Sequence, residues 1–235
     1  MASTRWHETT RRVLDTVFPP KCAGCRARGH WLCPTCLRRV DYTTLPVCGV
    51  CGQPADPTGS PHGCRSATAP LVTVCAVGIH AGPLREAVHA LKYNGRHGIA
   101  ATLARMLAPR VAPLLHESDL LVPVPLHPAR ERERGYNQAA ILASELAYLM
   151  PLQLVPAALR RTKATRTQTE LSPDERAANV RGAFTARTDL VAGQRVWVLD
   201  DVYTTGATLR ACARELRAQG AREVRGAVVA MRSRQ

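Results

Sequence analysis

No apolar run in this chain approaches the ~20 residues that a membrane-spanning helix needs. The opening stretch, MASTRWHETTRRVLDTVF, carries acids and lacks the apolar core and cleavage pattern of a signal peptide. These two absences predict a cytoplasmic protein without membrane insertion. In a reducing compartment the nine cysteines read as metal ligands more readily than as disulfides. Two nucleotide-binding signatures are also missing. There is no GxxxxGK[ST], and no two glycines stand two apart, so GxGxxG is absent as well. Lysine is scarce, with three among 32 basic residues. Gene base composition shifts the arginine-to-lysine ratio too, so this scarcity alone says little about recognition.

The 235 residues suffice for one moderate α/β domain plus a small module. The apolar share, 46%, is ordinary for a globular chain. The net charge of +14 is spread along the chain: residues 1–70 carry +5 and the remainder +9. A field of this sign favours phosphates, nucleotides or nucleic acid as partners.

The rest of the chain is organised around residues 196–209, VWVLDDVYTTGATL. Val196, Trp197, Val198 and Leu199 read as a buried parallel strand. Asp200 and Asp201 follow, then the polar turn Thr204, Thr205, Gly206, Ala207 and Thr208. A helix opens behind it, with Leu209, Cys212, Ala213 and Leu216 at helical spacing. Ligands of open α/β sheets sit beyond the carboxyl ends of the strands. A Thr/Gly turn at a helix N-terminus there makes a phosphate cradle. Carboxylates repel phosphate, so the acid pair suits sugar hydroxyls or a Mg2+-bridged diphosphate. The combination implies a phosphorylated sugar.

Cys22, Cys25, Cys33 and Cys36 form C-x2-C-x7-C-x2-C, two thiolate pairs on tight turns that close a tetrahedral Zn2+ site. Such a closed site is structural. Cys48 and Cys51 make a third pair, and Cys64 is the one further cysteine nearby. His62 is either the fourth ligand of a second zinc or a plain loop histidine. Residues 53–70, rich in Pro, Gly and Ser, read as loop and linker. The expected organisation is an N-terminal helix (1–20), a zinc ribbon module (21–70) and an α/β domain (71–235).

In the α/β part, strands are expected at 71–79, 119–126, 152–157 and 223–231, and helices at 84–92, 99–115 and 135–150. Lys92 is either a phosphate contact or a solvated lysine. The segment HPARERERGYNQ is either a self-compensating charged turn or, through Arg130 and Arg134, an anion site at a strand end. Residues 160–170, with Arg160, Arg161, Lys163 and Arg166, read as a mobile basic loop. Ser172 and Pro173 start a further helix.

The strand, acid pair and TTGxT turn resemble the signature of type I phosphoribosyltransferases, which binds the ribose 5-phosphate of phosphoribosyl pyrophosphate (PRPP). Over nearly the whole chain the cysteine pairs, Lys92-Tyr93, VPVPLHPARERERGYNQ, the run from Arg160 to Phe184, and LDDVYTTGAT resemble the ComF family. That resemblance implies a double zinc ribbon on a type I phosphoribosyltransferase-like α/β domain with a parallel sheet. It also implies PRPP with Mg2+ as ligand and structural Zn2+. Partners implied are single-stranded DNA and the DNA-uptake machinery. Asp200 and Asp201 would then hold the ribose, and residues 204–208 the 5-phosphate. Lys92 would meet a phosphate of PRPP, and the loop after Val124, with Arg130 and Arg134, and the basic loop 160–166 would hold the pyrophosphate. The alternative reading is a PRPP-sensing or nucleic-acid-binding zinc protein without turnover. The missing eighth cysteine departs from the family pattern. Related enzymes often cover the acceptor base with a hood. With RSRQ alone after the last strand, a hood is expected from the zinc module or a partner.

Overall fold

The computed structural model describes residues 19–43, 46–49, 70–163 and 180–232. The N-terminal helix expected over 1–20, apart from its last two residues, and the helix expected from Ser172 lie outside these residues. So do Cys51, His62, Cys64 and all but the last residue of the linker.

The elements run α1 (Pro34–Arg38), β1 (Val47–Cys48), β2 (Thr73–Ile79), α2 (Gly82–Tyr93), α3 (Ile99–Val111) and β3 (Leu120–Pro123). They continue with α4 (Pro128–Arg134), α5 (Gln138–Leu149), β4 (Gln153–Leu154), β5 (Leu159–Arg161) and β6 (Phe184–Ala186). The chain ends with α6 (Thr188–Val191), β7 (Arg195–Tyr203), α7 (Ala207–Ala218) and β8 (Glu223–Met231). The main sheet has the order β1-β2-β8-β7-β3-β4. All its pairings are parallel except the edge pair β1–β2. A separate antiparallel pair joins β5 to β6.

Strand alternation divides the core into two layers. Trp197 and Leu199 of β7 face one cluster, with Leu84 and Leu91 of α2, Leu103 of α3 and Leu142 of α5. Val196 and Val198 face the other, with Leu209, Cys212 and Leu216 of α7 and Phe184 of β6. Cys75 is buried core within β2, as its strand setting predicts. Asp119, 1% exposed, sits at the start of β3, far from the carboxyl ends of the strands. It accepts from Trp197 Nε1 at 3.0 Å and Arg195 Nε at 2.9 Å, so its burial is compensated.

The cysteine-rich segment shares the first of these layers. Cys22, Leu32, Cys33, Cys36 and Val40 belong to the same cluster as α2 and α3. Trp31 lies on Gly98, where an added Cβ would come within 2.2 Å of the indole. The chain then runs along β2. Ile79 N donates to Asp41 O at 2.8 Å, Thr43 N donates to Val77 O at 3.1 Å, and β1 completes the edge. Among the described residues no helix is long and apolar enough to cross a membrane.

Three local expectations change. The segment 128–134 is helix α4 and not a charged turn. His127 Nδ1 caps it through Ala129 N at 3.3 Å, and Gly135, at φ 82°, ends it. Of the basic loop, Arg160 and Arg161 belong to strand β5. The strand expected over 152–157 shortens to β4, because Pro156 turns the chain into a 3-10 segment.

Candidate functional site

The acid pair does not follow strand β7; it lies inside it. Cross-strand partners continue on β8 as far as Tyr203 opposite Met231, so the backbone stays extended through both aspartates. Alternation then sends the two side chains to opposite layers. Asp201, 3% exposed, meets Lys92 Nζ of α2 at 3.3 Å. Asp200, half-buried, lies toward Cys212 of α7 and Arg161 of β5 and accepts from Asp201 N at 2.8 Å.

The electrostatics follow from this enclosure. Burial and the neighbouring Asp201 charge push the Asp200 pKa up to about 8, with Lys92 opposing the shift. Burial alone would lower the Lys92 pKa, but the carboxylates of Asp201 and Asp200 outweigh it and hold it above the ordinary lysine value. Lys92 is thus neither simply solvated nor free to leave: it is the counter-ion of Asp201. His80, directly after β2, is held below its usual pKa by burial and by Arg85, against the pull of Asp201.

The turn after β7 is shaped around Gly206, in the left-handed region at φ 72°. An added Cβ would fall 2.4 Å from Tyr203 Oη and 2.7 Å from an Arg210 nitrogen, so only glycine fits. Thr205 Oγ1 accepts from Ala207 N at 3.4 Å. Helix α7 opens at Ala207 and runs for 12 residues, with its first-turn amides directed at the turn. Arg210 braces the arrangement, donating to Tyr203 Oη at 3.3 Å and to the Thr205 carbonyl.

The structure brings Arg134 beside this site but turns it to neighbours. Its guanidinium lies 5.5 Å from the Tyr93 ring centre and donates to Gln138 Oε1 at 2.6 Å. Arg130 lies near Arg161, which it helps to hold below the usual arginine pKa, after burial as the larger cause. One residue escaped the sequence reading, and another was expected in a different setting. Arg210 resembles any solvated helix arginine, and its position one turn after Gly206 is the only signal. Arg161 was expected in a mobile basic loop and lies instead in strand β5, because its strand partner Phe184 comes much later in the chain.

At the other end of the chain, the sulfurs of Cys22, Cys25, Cys33 and Cys36 all lie within 4.8 Å of one another. Zn–S bonds of about 2.3 Å at tetrahedral angles require sulfurs about 3.8 Å apart, so the set fits one zinc. Burial disfavours the Cys22 thiolate, but backbone N–H groups of Cys33, Cys25 and Gly24 bring its pKa down to about 6. Burial and the adjacent thiols push Cys36 up to about 12. Four crowded sulfurs of this kind are matched by a dication. Gly24 leaves the space: an added Cβ would stand 2.8 Å from Cys36 Sγ. Cys48 is buried, and its expected co-ligands Cys51 and Cys64 lie outside the described residues.

Parallel sheet, strand-turn-helix site and thiol cluster together define a phosphoribosyltransferase-type α/β domain carrying a zinc ribbon. Comparison with known families agrees. The phosphoribosyl transferase domain family matches residues 132–235, and the double zinc ribbon domain family matches residues 13–76. DNA utilization protein YhgH of Escherichia coli (strain K12) is 36% identical over 219 residues, 88% of this chain and 94% of that protein. Competence protein F of Haemophilus influenzae is 31% identical over 219 residues, 88% of this chain and 95% of its own. Competence protein ComFC of Bacillus subtilis (strain 168) is 26% identical over 201 residues, 80% of this chain and 79% of its own. The chain belongs to the ComF family of competence and DNA-utilization proteins. Its four-cysteine cluster, inside a matched double zinc ribbon, supports a structural zinc.

Proposed function

We propose that the carboxyl edge of the sheet binds PRPP with Mg2+, in a phosphoribosyltransferase-like domain over residues 71–235 that follows a zinc module over 21–70. The observation that carries this reading is the turn at Gly206. A left-handed glycine with no room for a side chain opens a 12-residue helix directly beyond two carboxylates. Amides at a helix start favour a phosphate. In this reading residues 204–208 hold the 5-phosphate, and Asp200 and Asp201 receive the ribose hydroxyls. Lys92, Arg130 and Arg134 face the diphosphate, whose charge grows as its bond to ribose C1 breaks and an acceptor bond forms. When bound, Mg2+ neutralises part of that charge. A cytoplasmic location accords with thiols kept as metal ligands. Cys48, Cys51 and Cys64 are assigned to a second zinc of the double ribbon.

Calorimetry with PRPP and Mg2+ tests the site. Hydrogen bonds to charged acceptors are worth ~1.5–3 kcal/mol each, and ~1.4 kcal/mol is tenfold. Asp200 carries a proton and Asp201 is the charged acceptor, so replacing both together by Asn should weaken binding by roughly tenfold to a hundredfold. Asparagine is the better probe than alanine, because it keeps the side-chain volume and leaves Lys92 a hydrogen-bond acceptor, although the counter-charge is lost with either. Thr205→Ile should also abolish binding, by filling the phosphate space. Undiminished affinity in folded forms of both variants would reject the proposal.

The names of the relatives favour a second role, contact with DNA. The charge of +14, carried by both parts of the chain, suits a nucleic-acid backbone.

A further inference from the structure

We propose that a second anion pocket, separate from the 204–208 turn, lies between the zinc knuckle and α2 and takes a nucleoside phosphate. A cavity of about 380 Å3 opens there. That volume is within the roughly 300–1,000 Å3 of small-ligand sites. Lys21 and Arg26 line it from the knuckle, His89 from α2, and Asn94 and Arg96 from the loop beyond; Glu86 is its one acid.

Arg26 is the telling residue. It stands in the left-handed region, at φ 68°. The knuckle imposes that conformation: Arg26 N donates to Cys22 O at 2.9 Å, and Cys22 N donates to Ala27 O at 2.7 Å. Glycine adopts it freely and an L side chain is strained there. The position after the second cysteine pair is Leu37, and after the third pair, Cys48 and Cys51, it is Gly52. Backbone outliers of this kind cluster at active sites and ligand clamps. Here the strain keeps a guanidinium at the cavity wall.

Arg96 is fixed in place independently. Its guanidinium donates to the Lys21 carbonyl and lies 5.2 Å from the centre of the Trp31 ring. Burial and the nearby Arg26 charge hold its pKa below the ordinary value. Two guanidinium groups and an ammonium around one cavity repel each other; Cys22 offsets part of that charge at Arg96, and an anion in the cavity offsets the rest. Arginine forks match phosphate oxygens in geometry. His89, Asn94 and Glu86 add donors and acceptors that suit a sugar or base. The source is a free nucleotide or one unit of a single strand, which share this chemistry.

The test uses the full, zinc-loaded chain with two probes, dTMP and an oligothymidylate about ten nucleotides long. Arg26→Gly and Arg96→Gln should each weaken binding at least about tenfold, the loss expected for one charged hydrogen bond. PRPP affinity should stay unchanged. Arg26→Gly should leave Tm unchanged or raise it by up to about 4 °C, because strain is released. Binding of dTMP identifies a free-nucleotide site; binding of the oligomer alone identifies a strand site. No binding of either probe overturns the proposal, as does binding indifferent to both variants. A lower Tm in Arg26→Gly also overturns it, for the arginine would then serve to offset the charge of the zinc tetrathiolate.

Discussion

Asp200 and Asp201 are adjacent in the chain and unlike in chemistry. Asp201 has an ammonium partner 3.3 Å away, whereas Asp200 is enclosed beside a like charge. The folded protein therefore holds a proton on Asp200 that the unfolded chain releases above about pH 4. Where the native state binds more protons, stability falls as pH rises. The contribution of Asp200 is fully present below the unfolded pKa and is lost up to its folded value of about 8. Asparagine cannot ionise, so Asp200→Asn should lose this slope. Melts between about pH 6 and 8.5 should show the variant gaining on wild type, by a few degrees at the alkaline end. A constant difference across that range would mean that Asp200 is ionised throughout, and would remove the electrostatic argument.

At the scale of elements, the two thiol turns are short and have little apolar surface of their own, so metal must supply what packing does not. Their buried residues nonetheless belong to the cluster of α2 and α3, and Trp31 covers Gly98 at the start of α3. Losing the metal should loosen α2, and with it Lys92. Protein purified without added zinc should carry about one tightly held zinc on Cys22, Cys25, Cys33 and Cys36, and a further equivalent if Cys48, Cys51 and Cys64 bind. Cys36→Ser should lose the first and lower Tm by at least about 5 °C. Less than half an equivalent of metal in a chain whose module remains folded would sink the zinc assignment.

Across the whole molecule the basic excess is carried on both modules, +5 in residues 1–70 and +9 in the rest. Backbone contacts made by such a surface release counterions. Binding of single-stranded DNA should accordingly be independent of sequence and weaken by roughly tenfold or more between about 50 and 200 mM salt, for three or more phosphates contacted. Anisotropy titrations at several salt concentrations measure the slope. Binding indifferent to salt, or none at low salt, would show that the charge serves solubility.

The contiguous features of this protein were legible in its residues. The C-x2-C pairs, the apolar run 196–199, the acid pair and the TTGAT turn each lie within a few residues, where local spacing specifies geometry. Strand β8 and the helix opening at Ala207 followed from periodicity for the same reason. Periodicity tells which face is buried but not against what. Tertiary pairing alone chose Lys92 as the partner of Asp201 and carried β7 past the aspartates by matching it to β8. It also turned Arg161 from a loop cation into a strand residue through its pairing with β6. The strained Arg26 belongs to the same class. Nothing in the residue type shows a positive φ, which the closing hydrogen bonds of the knuckle impose. The sequence by itself determined two local features, thiolate turns that fit a metal and a Thr/Gly strand-to-helix turn. Packing decided that they share one core, because the module's buried residues complete the layer formed by α2 and α3.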